Sequence, residues 1–151
     1  MKQKHKKESR TVRWGFFTLS LVWMAVIFYF SSQNGDASGE CSMFFVELLH
    51  IPEWIIRKGA HMAEYAVLAG LLFGFFRTFP AGRRQMGLAA WLVSAGYAAT
   101  DEFHQTFSGG RAASVRDVCI DAVGAFLGLA VVFMVHYSAG KIKLFDRNKT
   151  D

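Results

Sequence analysis

WGFFTLSLVWMAVIFYF, residues 14–30, carries no ionisable side chain except Tyr29. With its flanks, such a run suits a spanning helix of about 17–25 residues. Three further stretches read the same way. Residues 66–76 are uncharged, and a helix there extends back through Ala60. Residues 86–100 are uncharged, and residues 119–137 contain only Asp121 and His136. Hydrocarbon offers the backbone no water, so each run must satisfy its own N–H and C=O groups as a helix. The predicted fold class is therefore all-α. It is a four-helix transmembrane bundle with spans at about 14–31, 58–77, 85–101 and 117–137. A basic N-tail (1–13) and a basic C-tail (138–151) flank a membrane domain over 14–137.

Composition agrees with one such domain. The chain has 151 residues, 52% hydrophobic and only 19% charged, and mean hydropathy is +0.22. Apolar residues dominate, which excludes a disordered chain. Two Cys exclude a disulfide scaffold and a Cys-rich zinc module, and two Pro exclude a proline-rich linker.

The net charge of +5 would suit nucleic acid, but its placement argues for a membrane. Of 17 basic residues, 13 lie on the N-tail, the second loop (Arg77, Arg83, Arg84) and the C-tail. The other four, Arg57, Lys58, Arg111 and Arg116, lie on the first and third loops. By the positive-inside rule both termini are cytoplasmic. The tails then contact anionic lipid or fix topology, and no nucleic-acid partner is implied. The first apolar core exceeds the roughly 7–15 residues of a signal peptide, and no A-x-A site follows, so it is read as uncleaved.

The first external segment, 31–59, is the longest connection. It opens with turn formers at 31–36. Residues 43–49 are read as a short interfacial helix, with Met43, Phe44, Val46 and Leu49 as apolar contacts. Pro52 suits the start of a helix over 53–76, where its missing N–H costs little.

Ionisable residues in or beside spans are expensive, at about 2.5–3.5 kcal/mol for a mid-bilayer charge on insertion scales, and so are informative. Spacings of three and four put Lys58, His61 and Tyr65 on one helix face, with Glu64 beside His61. The third helix ends in Thr100, Asp101, Glu102, Phe103, His104 and Gln105. Arg111 follows Gly109 and Gly110 in the next loop. Asp117 and Asp121 open the fourth helix one turn apart, and Gly124 and Gly128 continue their stripe as a close helix contact. Nine of the 12 acidic residues fall on the external side of the four-span scheme. These groups are expected to face one another across an outer-leaflet cleft, with Lys58 and Arg111 as counter-charges.

KGAHMAEYAVLAGLL (58–72), TDEFHQTFSGGRAASVRDVCIDAVGAFLG (100–128) and FSSQ (30–33) together resemble the VanZ-like family of small bacterial membrane proteins. The resemblance covers roughly residues 14–135. It implies a four-helix protein of the bacterial cell membrane, and its namesake is associated with low-level resistance to the glycopeptide antibiotic teicoplanin. By motif match it carries over Lys58, His61, Glu64, Tyr65, Asp101, Glu102, Gln105, Arg111, Asp117 and Gly124. Gly109 departs from the pattern, standing where a proline is common before Gly-Arg.

Three functions compete. In the first, the cleft binds or modifies a lipid headgroup or a lipid-linked cell-wall precursor. His61, Glu64, Asp101 and Glu102 are then the candidate catalytic residues, with His61 or Glu64 as general base. Lys58, Tyr65, His104, Gln105, Arg111, Asp117 and Asp121 are candidate headgroup contacts, Lys58 and Arg111 holding phosphate. A divalent metal on His61, Glu64, Asp101, Glu102 and His104 is an open variant, without a complete metal-binding signature. In the second, the chain is a non-catalytic scaffold or binding factor. In the third, it is a small proton-coupled transporter, against which the polar residues stop at one leaflet. Whether the chain is an enzyme, and its oligomeric state, stay open at this stage.

Overall fold

The computed structural model describes residues 2–32, 46, 48, 50–107 and 114–147. They build four long helices in an up-and-down order, and no strand occurs among the described residues. We label them α1 (Lys2–Ser31), α2 (Glu53–Phe76), α3 (Arg83–Gln105) and α4 (Val115–Arg147). Each apolar run in the sequence lies within one helix. Helix α1 reaches back through the basic N-tail, and α4 continues into the C-tail.

Helix α2 is the hub, packing against all three others, whereas α1 and α3 meet only lightly. The inward stripes follow helical spacing. Helix α1 contributes Ser20, Ile27 and Ser31, with Trp23 and Met24 against them. Helix α2 contributes Tyr65, Leu68, Ala69, Leu72 and Phe73, and α4 contributes Asp121, Ala125 and Leu129. Many other large apolar residues point outward. Leu19, Leu21 and Val22 on α1, Val67 on α2, and Phe126, Leu127, Val131 and Met134 on α4 are exposed. Large apolar side chains on the outer surface are the pattern expected where lipid, not water, surrounds the bundle.

Helices α2 and α4 cross closely at glycines. A Cβ on Gly124 would collide with the Met62 backbone, and one on Gly128 with the Ala66 backbone. The expected close contact at Gly124-x-x-x-Gly128 is therefore present within the chain.

Three of the helices contain a span long and apolar enough to cross a membrane: Arg10–Ser31, Glu53–Phe76 and Val115–Ala139. This differs from the expected four. Helix α3, at 23 residues, has the length but not the hydropathy. Its inward stripe (Gly87, Ala90, Ser94, Ala98, Asp101, Glu102 and Gln105) is small or polar, and only its outward face carries Leu88, Leu92 and Val93. The expected interfacial helix at 43–49 lies outside the described residues except for Val46 and Leu48, which are helical.

The ends of the bundle are pinned. Arg13 donates from Nε to Thr78 Oγ1 and from Nη2 to the Thr78 carbonyl, both at 3.0 Å. Its guanidinium also sits 4.2 Å over the Phe79 ring. At the far end of α1, Gln105 Nε2 donates to Ser31 Oγ at 2.8 Å. Helix α3 therefore begins beside one end of the α1 apolar run and finishes beside the other.

Candidate functional site

The polar side chains gather at the end of the bundle where α1 and α3 finish and α2 and α4 begin. Lys58, in the second turn of α2, forms an ion pair with Asp117 in the first turn of α4. One turn further along α2, His61 Nδ1 lies 3.5 Å from Glu64 Oε2. This is the i, i+3 neighbour relation expected from the spacing. The Glu64 backbone carbonyl accepts from Trp23 Nε1 at 2.9 Å, which fixes α1 to this turn.

The last turns of α3 supply the buried acids. Asp101 and Glu102 are buried, as is Asp121 on α4. Asp101 Oδ2 accepts from Gln105 Nε2 at 3.3 Å, while its Oδ1 is buried without a hydrogen-bond partner. Glu102 Oε1 accepts from the Ser114 backbone N–H at 3.0 Å, tying the end of α3 to the residue before α4. Ser114 in turn opens α4, its carbonyl accepting from Asp117 N at 2.9 Å. The ring of His104 packs on Phe28, with centroids 4.3 Å apart.

Tyr65 stands at the centre. It is fully buried, and its hydroxyl has no hydrogen-bond partner. Asp101, Asp121, Glu64 and Tyr97, from three helices, all act on it electrostatically. The Tyr65 and Tyr97 ring centroids lie 6.3 Å apart. The Tyr97 hydroxyl donates to the Met24 carbonyl at 2.6 Å and so is occupied in holding α1.

The sequence-derived site is thus largely brought together: Lys58, His61, Glu64, Tyr65, Asp101, Glu102, His104, Gln105, Asp117 and Asp121 share one end. Lys58, expected as a counter-charge to the acids, pairs with Asp117. Arg111 and Gly109 lie outside the described residues. For the metal variant, no group of three or more His, Cys, Asp or Glu among the described residues is close enough to hold an ion. The proposed ligands are spread over α2 and α3, and Glu64, Asp101 and Glu102 each face different partners.

Sequence reasoning missed Ser31, Trp23 and Tyr97. Tyr97 carried a signal, since it precedes Asp101 by one helical turn and therefore shares its face. Ser31 stood in the FSSQ stretch at the end of the first apolar run, but nothing there assigned it a partner. Its partner lies 74 residues away on α3.

A family model described as VanZ/LLP1 matches residues 16–136, a stretch that holds all of these side chains. No curated protein and no solved structure matches the chain.

Proposed function

The chain belongs to the VanZ/LLP1 family, and from that premise we propose that it is a cell-envelope protein whose polar end binds or modifies a lipid headgroup or lipid-linked wall precursor in the outer leaflet. Through that site it lowers susceptibility to glycopeptides of the teicoplanin type. One observation carries the reading. Buried polar groups from α2, α3 and α4 converge on the unpartnered Tyr65 hydroxyl at one end of an otherwise apolar bundle. Carboxylates and a tyrosine hydroxyl facing lipid singly would be costly, so their enclosure at a membrane surface suits recognition of a polar headgroup.

The topology follows from charge and packing together. All four helices cross the bilayer in this reading, with both termini cytoplasmic. Helix α3 is admitted because the connection before it meets α1 at Arg13 (Thr78) and its last residue, Gln105, meets α1 at Ser31. The 18-residue rise between Arg13 and Ser31 is about 27 Å, close to the hydrocarbon thickness of about 30 Å. Its small and polar stripe is covered by α2 and α4, so lipid meets its outward face, where Leu88, Leu92, Val93 and Phe103 are exposed. Arg13, Arg77, Arg83 and Arg84 then lie at the inner surface and the acid-rich end at the outer one.

In a catalytic version His61 is the general base, held by Glu64. In a binding version the same groups only recognise. The engagement of Lys58 by Asp117 favours the second, because it removes one cation from phosphate chemistry. The test compares wild type, His61→Ala and Glu64→Gln at matched membrane levels in a Gram-positive host, reading teicoplanin susceptibility. Protection by wild type alone supports a working polar end. Protection that survives Glu64→Gln but not His61→Ala points to binding without the carboxylate's charge. Equal protection by all three overturns the site.

A further inference from the structure

The end of the bundle opposite the polar site carries positive charge that the chain does not neutralise. Arg13 bonds to Thr78, and Arg77 lies against His136, so α1, the turn after α2, and α4 all meet there. This end holds 13 of the 17 basic residues but only three of the 12 acidic ones, Glu8, Asp146 and Asp151. No acid occurs within 9–35, 65–100 or 122–145, the stretches that pack behind it. The ion pairs formed among the described residues, Lys58–Asp117 and His61–Glu64, belong to the other end. The depth is also fixed. The candidate span Glu53–Phe76 stops immediately before Arg77, and Val115–Ala139 ends three residues after His136. Trp14 and Tyr137, the chain neighbours of Arg13 and His136, are exposed at this level, as aromatic residues at a membrane interface are.

Among these cations Arg77 is the one held ready for a ligand. Arg13 is spent on Thr78 and on the face of Phe79. Arg77 is exposed, and its Nη1 lies 3.4 Å from His136 Nε2. His136 Nδ1 lies 2.9 Å from the Val132 carbonyl, which can only accept. Nδ1 therefore carries the proton, and Nε2 of the neutral ring is an acceptor turned toward Arg77. The Phe73 ring backs the imidazole edge-on, with centroids 6.3 Å apart. His136 thus orients the guanidinium at the junction of α2 and α4, and the other Arg77 side-chain donors have no partner among the described residues. Arg83 and Arg84, exposed at the start of α3, follow after a turn of five residues and strengthen the field. A planar fork with free donors suits a phosphate group. We propose that Arg77, steered by His136, holds the phosphate of an anionic phospholipid, which thereby ties α2 to α4. A soluble acidic partner fits less well, because the guanidinium lies immediately beyond an apolar span and level with interfacial aromatics. The proposal concerns the opposite end of the bundle and holds whatever the polar end binds.

The full chain, purified into nanodiscs, provides the test. Thermal unfolding is followed in phosphatidylcholine alone and in phosphatidylcholine with added phosphatidylglycerol. The expected result is a midpoint about 3 °C or more higher with the anionic lipid. Every variant is compared with itself in the two lipids, so a variant that is merely less stable still reports the gain. Arg77→Gln should lose most of it. Arg10→Gln makes the same charge change at an exposed arginine on α1 and should keep most of it. Arg77→Lys retains the charge without the fork and should fall between wild type and Arg77→Gln. His136→Leu should reduce the gain, and His136→Gln, whose side-chain oxygen still accepts from Arg77, should restore it. Equal midpoints in the two lipids overturn the proposal. So does an equal loss in Arg10→Gln and Arg77→Gln, which would mean diffuse attraction without a seat. Inorganic phosphate or heparin is added separately to the phosphatidylcholine discs. A rise with either that matches the effect of phosphatidylglycerol assigns Arg77 to soluble anions and overturns the lipid assignment.

Discussion

Lys58 and Asp117 form an ion pair that joins the second turn of α2 to the first turn of α4 at the mouth of the polar end. Both side chains remain about one-third exposed, so solvent screens the pair. Its worth is therefore modest, and its use is positional: it sets the spacing of the two helices that carry Tyr65 and Asp121. A double-mutant cycle with Lys58→Met and Asp117→Asn should give a coupling of about 1 kcal/mol or less in detergent unfolding. A coupling several times larger would mean that the pair is desolvated in the membrane.

The glycine crossing makes a sharper demand. Gly124→Ala and Gly128→Ala place a methyl against the backbones of Met62 and Ala66, which cannot rotate away. Each should destabilise by about 1–3 kcal/mol through overpacking. Gly59→Ala and Gly96→Ala, where nothing lies within 4 Å of the added carbon, are the matched controls and should be close to neutral. Unfolding midpoints of the four variants in one detergent check this.

Tyr97→Phe removes the hydroxyl that donates to the Met24 carbonyl and leaves the ring in place. Trp23→Phe removes the bond from α1 to the Glu64 carbonyl. Each should lower stability by about 0.5–1.5 kcal/mol, the net worth of one hydrogen bond. Helix α1 meets α3 only lightly, so the loss should appear first as faster proteolysis or hydrogen exchange in α1. Uniform loosening of all four helices would contradict this.

Topology can be read by labelling. In a chain with Cys41 and Cys119 replaced by Ser, single cysteines are introduced as Ser32→Cys, Pro80→Cys and Lys143→Cys. With α3 spanning, a membrane-impermeant maleimide applied to intact cells should modify the first and spare the other two. Modification of Lys143→Cys without Pro80→Cys would place the C-tail outside and show that α3 does not cross.

Much of this architecture was legible because a bilayer punishes error. Apolar runs at 14–30, 66–76 and 119–137 had to be helices, and observed helices contain all three. Spacings of three and four correctly set His61 beside Glu64, since neighbours along a helix follow from its pitch. The same local rule placed Gly124 and Gly128 on one stripe. Helix α3 was harder, because its inner face trades hydropathy for small size. Only the neighbours that cover that face show how it fits.

Partnerships between helices were beyond the sequence by itself. It placed Lys58, as a counter-charge, with Asp117 and Gln105 in one outer-leaflet cleft, without a rule for which residue pairs with which. The tertiary structure decided that Lys58 belongs to Asp117 and Gln105 to Ser31, 74 residues away. It also decided that the Tyr65 hydroxyl, Asp101 Oδ1 and His104 Nδ1 are buried without a hydrogen-bond partner. The physical reason is that periodicity dictates what shares a helix face, whereas pairing across faces depends on the axial register of packed helices. Here that register is set by the close approach of Gly124 to Met62 and of Gly128 to Ala66.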